Sequence, residues 1–251
     1  MTTWILLRGL SREAGHWGSF LPAFQQAFCN DYVIALDFPG NGALHWQHSP
    51  TTVHNMVEHC RRQLADAGLK PPYRVLALSM GAMVSVAWAQ AYPQEVSEQV
   101  LINTSMRPFN PFYQRLRPGN NLDLLRLLSS NANAQEVEQR IWRMTSRMSP
   151  ADTVAGWARL REQHPVSPLN AMRQLWAAAR FTAPRSAPKP PSLLLASVQD
   201  GLVSVACSRS LASQWHAALR EHPHAGHDLP LDDGQWVIDQ VLHWHRERAQ
   251  R

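Results

Sequence analysis

The stretch Leu76-Ala77-Leu78-Ser79-Met80-Gly81-Ala82 decides the fold, because it sets a single serine between a strand and a helix. Tyr73 to Leu78 is a short apolar run of strand character. Met83 to Ala91 is apolar and alanine-rich, reads as a buried helix, and stops at Pro93. A residue at such a junction is held in a tight, strained turn. Its hydroxyl stands above the sheet edge, and the next N–H, that of Met80, points into the same space. Ala77 and Gly81 are small enough for strand and helix to approach closely around it. The full pattern for this elbow is Gly-x-Ser-x-Gly, from which Ala77 departs by one methyl group.

Outward from the elbow, strand-like and helix-like segments alternate. Strands are expected at Trp4 to Leu7, Tyr32 to Leu36, Gln99 to Asn103 and Ser192 to Val198, with a weaker one near Leu219 to His222. Helices are expected at Phe20 to Phe28, Thr51 to Leu69 and Gly234 to Arg246. In the second, Val53, Met56, Val57, Cys60 and Leu64 share one face, and Pro50 suits its first turn. This alternation implies an α/β fold, a mostly parallel sheet flanked by helices. From Arg107 to about Pro191 there is no strand candidate, only helical stripes. These are Leu122, Leu125 and Leu128; Val137, Ile141, Met144 and Met148; and Val154, Trp157 and Leu160. Proline-bearing junctions bound the region. It reads as a helical cap, or lid, over residues 107–191, inserted into a core made of 1–106 and 192–251.

Composition narrows the class. A chain of 251 residues with 45% hydrophobic and 17% charged residues can bury one sizeable core. No apolar run reaches the roughly 18 residues of a membrane span, and the N-terminus lacks the basic and apolar regions of a signal peptide. Cys29, Cys60 and Cys207 show no paired spacing, which points to reduced, mostly packed thiols and a cytoplasmic setting. The formal charge of +5 comes from scattered arginines, with lysine only at Lys70 and Lys189. The densest basic stretch, Arg246 to Arg251, reads as a solvated helix end, so neither a nucleic-acid nor a membrane partner is expected.

A serine hydroxyl becomes a nucleophile only when a base takes its proton and an acid orients that base. Leu193 to Asp200 places an acid just past a buried strand. His222-Pro223-His224-Ala225-Gly226-His227-Asp228 follows the next strand and puts His227 on a loop at the same sheet edge. Asp228, Asp232 and Asp233 are rival acids too near His227 along one loop to face it readily. His222, His224 and His227 lack the i, i+4 spacing of common helical zinc sites, so no metal is expected. His243-Trp244-His245 reads as a helix end.

Together these segments resemble the α/β-hydrolase fold superfamily, in its lidded serine esterase type. The resemblance runs from Trp4 to about Trp244 and is weakest in the cap. The order Ser79, Asp200, His227, each after a strand, is the family's order. Asp37-Phe38-Pro39-Gly40-Asn41-Gly42 is similar to its Asp-x-Pro-Gly-x-Gly turn, Asp200 to Val203 to its Asp-x-x-Val turn, and Ala225-Gly226-His227 to its Gly-His loop. The resemblance implies that the chain begins at the family's third strand, the first two being absent. It also implies Ser79 as nucleophile, His227 as base and Asp200 as its orienting acid, with an oxyanion hole made by the N–H groups of Met80 and Leu10. Where the family has His-Gly before the second donor, this chain has Arg8-Gly9. Arg8 either pairs with a carboxylate or faces the pocket and binds an anionic group. Gly9 and Trp17 are further candidates for the pocket wall, Trp17 being equally suited to the core.

The activity implied is carboxylesterase-like: cleavage of small or medium acyl esters through an acyl-enzyme, with no cofactor and a small-molecule substrate. The same triad also suits C–C bond hydrolysis, thioester hydrolysis, acyl transfer or a lyase step. A non-catalytic ligand-binding relative is the third reading, motivated by the departures at Arg8 and Ala77.

Overall fold

Side-chain alternation sorts the two faces of the sheet. In β1 (Thr3–Leu7), Trp4 and Leu6 pack on one side and Ile5 and Leu7 on the other, all four fully buried. The same sorting recurs in β3 (Tyr73–Leu78), where Val75 and Ala77 oppose Leu76 and Leu78. The computed structural model describes residues 2–120, 122–123 and 133–250. The remaining strands are β2 (Tyr32–Leu36), β4 (Val96–Ile102), β5 (Ser192–Ser197) and β6 (Ala218–His222). All six pair in parallel, in the order β2-β1-β3-β4-β5-β6.

Helices cover both faces, as a parallel sheet requires. On one side lie α1 (Phe20–Ala27) and the C-terminal helix Gly234–Ala249, packed on Trp4, Leu6, Leu76 and Val100. On the other lie α2 (Val53–Asp66), α3 (Met80–Ala91) and the helix Val205–Trp215, packed on Ile5, Val75, Leu101 and Leu194. Each fully buried aliphatic side chain contributes about 1.5–3 kcal/mol, so two such layers readily outweigh a strained turn costing about 1–3 kcal/mol. Pro50 stands outside α2, contrary to the sequence expectation. Thr52 is the cap, its hydroxyl accepting from the Asn55 N–H at 3.2 Å, so the first turn begins at Val53, past Pro50.

Between β4 and β5 the described residues form α4 (Phe112–Arg115), α5 (Ala134–Thr145), α6 (Thr153–Gln163) and α7 (Pro168–Arg180). The two ends of this segment meet, Arg107 bridging Thr182. Of the expected stripes, Leu125 and Leu128 lie outside the described residues, as does Arg251, and Leu122 is exposed. Met148 falls beyond the end of α5 and is exposed. Among the described residues no helix is long and apolar enough to cross a membrane.

The strand order reverses between β1 and β3, since β2 lies outside β1 on the far edge. In open parallel sheets, ligands bind outside the carboxyl ends of the strands at such a switch point. Gly9 and Leu10 follow β1 there, and Ser79 follows β3.

Candidate active site

Ser79 sits between β3 and α3 with φ 57° and ψ −115°, a left-handed backbone that a side-chain-bearing residue holds only under constraint. Three contacts impose it. The Ser79 N–H donates to Ile102 O at 2.9 Å, and the Ser79 carbonyl accepts from the Ala82 N–H at 3.1 Å and the Thr104 hydroxyl at 3.0 Å. Gly81 is required: a Cβ there would lie 2.6 Å from the carbonyl oxygens of Leu7 and Arg8. Ala77 is fully buried in the core, so its methyl group is accommodated.

Asp200 and His227 meet. His227 Nδ1 lies 2.7 Å from Asp200 Oδ2, and both side chains are almost wholly buried. The other carboxylate oxygen, Oδ1, accepts the N–H groups of Leu202 at 2.7 Å and Val203 at 2.9 Å. The carboxylate is therefore fixed before it meets the imidazole. With Nδ1–H donating to Asp200, the far nitrogen Nε2 is left as a free acceptor. His227 and Ser79 line one and the same cavity.

The rival acids have other work. Asp228 pairs with Arg8, Asp233 accepts from Trp236 N–H and meets His222 Nε2 at 3.2 Å, and Asp232 accepts from Gly226 N–H, Ser149 N–H and Arg147 N–H. His222 Nδ1 accepts the N–H groups of His224 and Ala225, so its ring shapes the loop that carries His227. Among the described residues no three His, Cys, Asp or Glu side chains are placed to share a metal ion. Burial pushes the Cys60 and Cys207 thiols up to about 12, which keeps them protonated, while Cys29 is exposed.

Arg8 makes a bidentate pair with Asp228, Nη1 donating to Oδ1 at 3.0 Å and Nη2 to Oδ2. Its guanidinium lies 4.8 Å from the centre of the Trp17 ring. Trp17 does not reach the cavity. It packs against Phe20 in the core beneath Arg8, because the pair above it fills the space toward the site. Leu10 and Gly9 line the cavity beside Ser79. The next two N–H groups are engaged elsewhere, Ser11 donating to Gln174 Oε1 at 2.8 Å and Arg12 to Gly9 O at 3.3 Å.

Several residues that build the site carry no local sequence signal. Asn103, at φ 44°, donates its amide to Ser197 Oγ, His227 O and Gly226 O at 3.0, 2.8 and 3.2 Å, and accepts from Ser197 N–H at 2.7 Å. It thereby ties the ends of β4 and β5 to the His227 loop. Glu138 on α5 is fully buried and receives Arg12 and Arg161, each at 2.6 Å. Arg12 also stacks over Trp157 at 3.9 Å. Burial lowers the Arg12 pKa against the pull of Glu138. Gln174 on α7 donates to Asn41 Oδ1 and Ser49 Oγ, both on the loop after β2. The end of α5 rests on the His227 loop: Asp228 N–H donates to Thr145 O at 2.8 Å, and a Cβ at Gly226 would lie 2.6 Å from that oxygen.

Two cavities open at Ser79. The smaller one, about 170 Å³, is lined by His227, Val137, Ile141, Met144 and Ala171, with Arg8 and Asp228 also at its wall. The larger, about 700 Å³, is lined by Met80, Met83, Phe112, Leu116 and Ala179. Leu10, Leu175 and Leu202 line both.

A sequence model of the alpha/beta hydrolase family matches residues 4–240. The chain belongs to that family. Solved structures agree on the fold. A candidate lipase of Acinetobacter baumannii AYE superposes with TM-score 0.75 at 22% identity, covering 100% of this chain and 85% of that one. A thermophilic esterase of Thermogutta terrifontis gives 0.77 at 17%, covering 98% and 90%. A hydrolase of Oleispira antarctica gives 0.76 at 16%, covering 97% and 90%. The uncharacterised protein YbdG of Bacillus subtilis strain 168 is 26% identical over 74 residues, 30% of this chain, and the chain spans 23% of that protein's length.

Proposed function

We propose that this family member is a serine hydrolase cleaving small or medium acyl esters, with Ser79, His227 and Asp200 as its triad. The observation that carries the reading is the 2.7 Å contact between a buried imidazole and a pre-anchored carboxylate, at a cavity that also opens onto the strained Ser79. Strain at one serine, and a histidine with one nitrogen committed and the other free, are what acyl transfer needs.

Ser79 Oγ attacks the ester carbonyl carbon while His227 Nε2 takes the hydroxyl proton. The carbonyl oxygen becomes an oxyanion, held by the N–H groups of Met80 and Leu10; each such donor is worth about 10²–10³ in rate. The C–O bond then breaks, and the leaving alkoxide takes the proton back from His227. Water attacks the acyl-enzyme with its proton passing to His227, the acyl–Oγ bond breaks, and Ser79 Oγ recovers that proton as the free acid departs. Asp200 holds the imidazole in the tautomer that leaves Nε2 basic and stabilises the imidazolium. Residues 107–191 act as a cap: α5 and α7 supply the walls of the site. Arg12–Glu138–Arg161 and Gln174 with Asn41 clamp that cap to the core.

The test is hydrolysis of a panel of p-nitrophenyl esters by wild type and Ser79→Ala. Loss of the serine should cost roughly 10⁶ in kcat, as removing the nucleophile of a triad does. Equal rates in both proteins would end the reading.

A further inference from the structure

We infer that the two cavities meeting at Ser79 divide the substrate unequally. The smaller one takes the leaving alcohol and the larger one the acyl chain, so the preferred substrates are esters of small alcohols with long or bulky acids. This rests on the serine hydrolase reading and adds to it the shape of the substrate.

The division follows from which groups border each space. Ser79 and Leu10 border both, so the reacting carbonyl lies at their junction. His227 borders only the smaller cavity and Met80 only the larger one. In the tetrahedral adduct, the leaving oxygen must lie beside the imidazole that returns its proton. The oxyanion turns to the Met80 N–H, and the acyl substituent takes the remaining direction, away from His227. The alcohol portion therefore enters the 170 Å³ space and the acyl portion the 700 Å³ space. An apolar protein cavity of about 150 Å³ holds one benzene molecule, which sets the scale for the alcohol. The acyl side is about four times larger by the two volumes, 700 against 170 Å³, and has Met83, Phe112 and Leu116 to pack a chain.

One helix builds both walls. On α7, Ala171 faces the smaller cavity, Ala179 the larger one, and Leu175 lines both. This makes the division separable by mutation. kcat/KM is measured for methyl and benzyl esters of acetic and decanoic acids, with wild type, Ala171→Phe and Ala179→Trp. Ala171→Phe is expected to lower the benzyl-to-methyl ratio by about tenfold or more, the discrimination a filled apolar pocket gives, without moving the decanoate-to-acetate ratio. Ala179→Trp is expected to lower the decanoate-to-acetate ratio instead. A variant that fails to melt cooperatively is replaced by Ile141→Phe for the wall of the smaller cavity or Leu116→Trp for that of the larger one. The division is overturned if Ala171→Phe moves the acyl ratio rather than the alcohol ratio, or if both ratios stay put in both variants. A Ser79→Ala protein as active as wild type sinks the underlying reading. An inactive Ser79→Ala with unmoved ratios sinks the division alone.

Discussion

Replacing Arg8 by methionine keeps much of its bulk and removes one half of a buried bidentate pair. The Arg8 and Asp228 side chains are 2% and 4% exposed, at the wall of the cavity they both line, so the pair is almost wholly withdrawn from bulk solvent. Asp228 is then a buried carboxylate without its counter-charge, a situation that costs about 3–5 kcal/mol. At about 2–4 °C per kcal/mol for a chain of this size, the melting temperature should fall by about 6–20 °C. The assay is urea unfolding followed by the fluorescence of the chain's ten tryptophans, a probe of global unfolding. The midpoint should move at constant slope, so that the change is read as stability. A double variant, Arg8→Met with Asp228→Leu, should recover most of the loss, because replacing both charges by apolar groups is near neutral where breaking one is not. If Arg8→Met costs less than about 1 kcal/mol, the value of an exposed pair, the pair is not holding this loop and the argument fails.

Three further outcomes follow from the same geometry. Asp200→Asn keeps an acceptor for the Leu202 and Val203 N–H groups but turns an amide toward His227, so kcat should fall by about 10⁴ with the melting temperature nearly unchanged. Asn103→Leu frees the His227 loop from β4 and β5 and should lower kcat/KM by about 10² through misplacement; an effect on melting temperature with no effect on turnover would count against it. His16 is buried with its Nδ1 accepting the Glu13 N–H, and burial holds its pKa well below 6.5. Its folded value being depressed, the unfolded chain binds the proton first. The stability it contributes is intact above pH 6.5 and is lost as pH falls toward the folded value, at up to about 1.4 kcal/mol per pH unit. Urea unfolding of His16→Gln between pH 7 and pH 5, intervals chosen to span about the unperturbed histidine value, should show a shallower loss than wild type.

The elbow was legible because its constraints are local: a buried strand, a serine and a glycine against backbone must follow one another in sequence. The meeting of Asp200 and His227 was legible because parallel strands deliver whatever follows them to one edge. The apolar run places the start of β4 at Gln99, whereas the strand starts at Val96 and includes the charged Glu98. That carboxylate is buried against Arg74, His245 and Arg248, the last two about 150 residues away. None of the helical stripes seen in residues 107–191 falls on α7. Its buried face carries Asn170 and Gln174, while Leu169, Met172 and Trp176 are exposed, so its polarity runs against the usual pattern. The Ser167-Pro168 cap was the signal that could have found it. Asn103, Glu138 and Gln174 act through partners far away in the chain, which no spacing within one segment can show.

The most direct measurement is the site of covalent attachment after a fluorophosphonate probe reacts with the folded protein, located by peptide mass spectrometry. Phosphonylation confined to the peptide bearing Ser79, strongly slowed in His227→Ala, is the expected result. A folded wild-type protein whose Ser79 stays unmodified while it still hydrolyses esters would contradict the account.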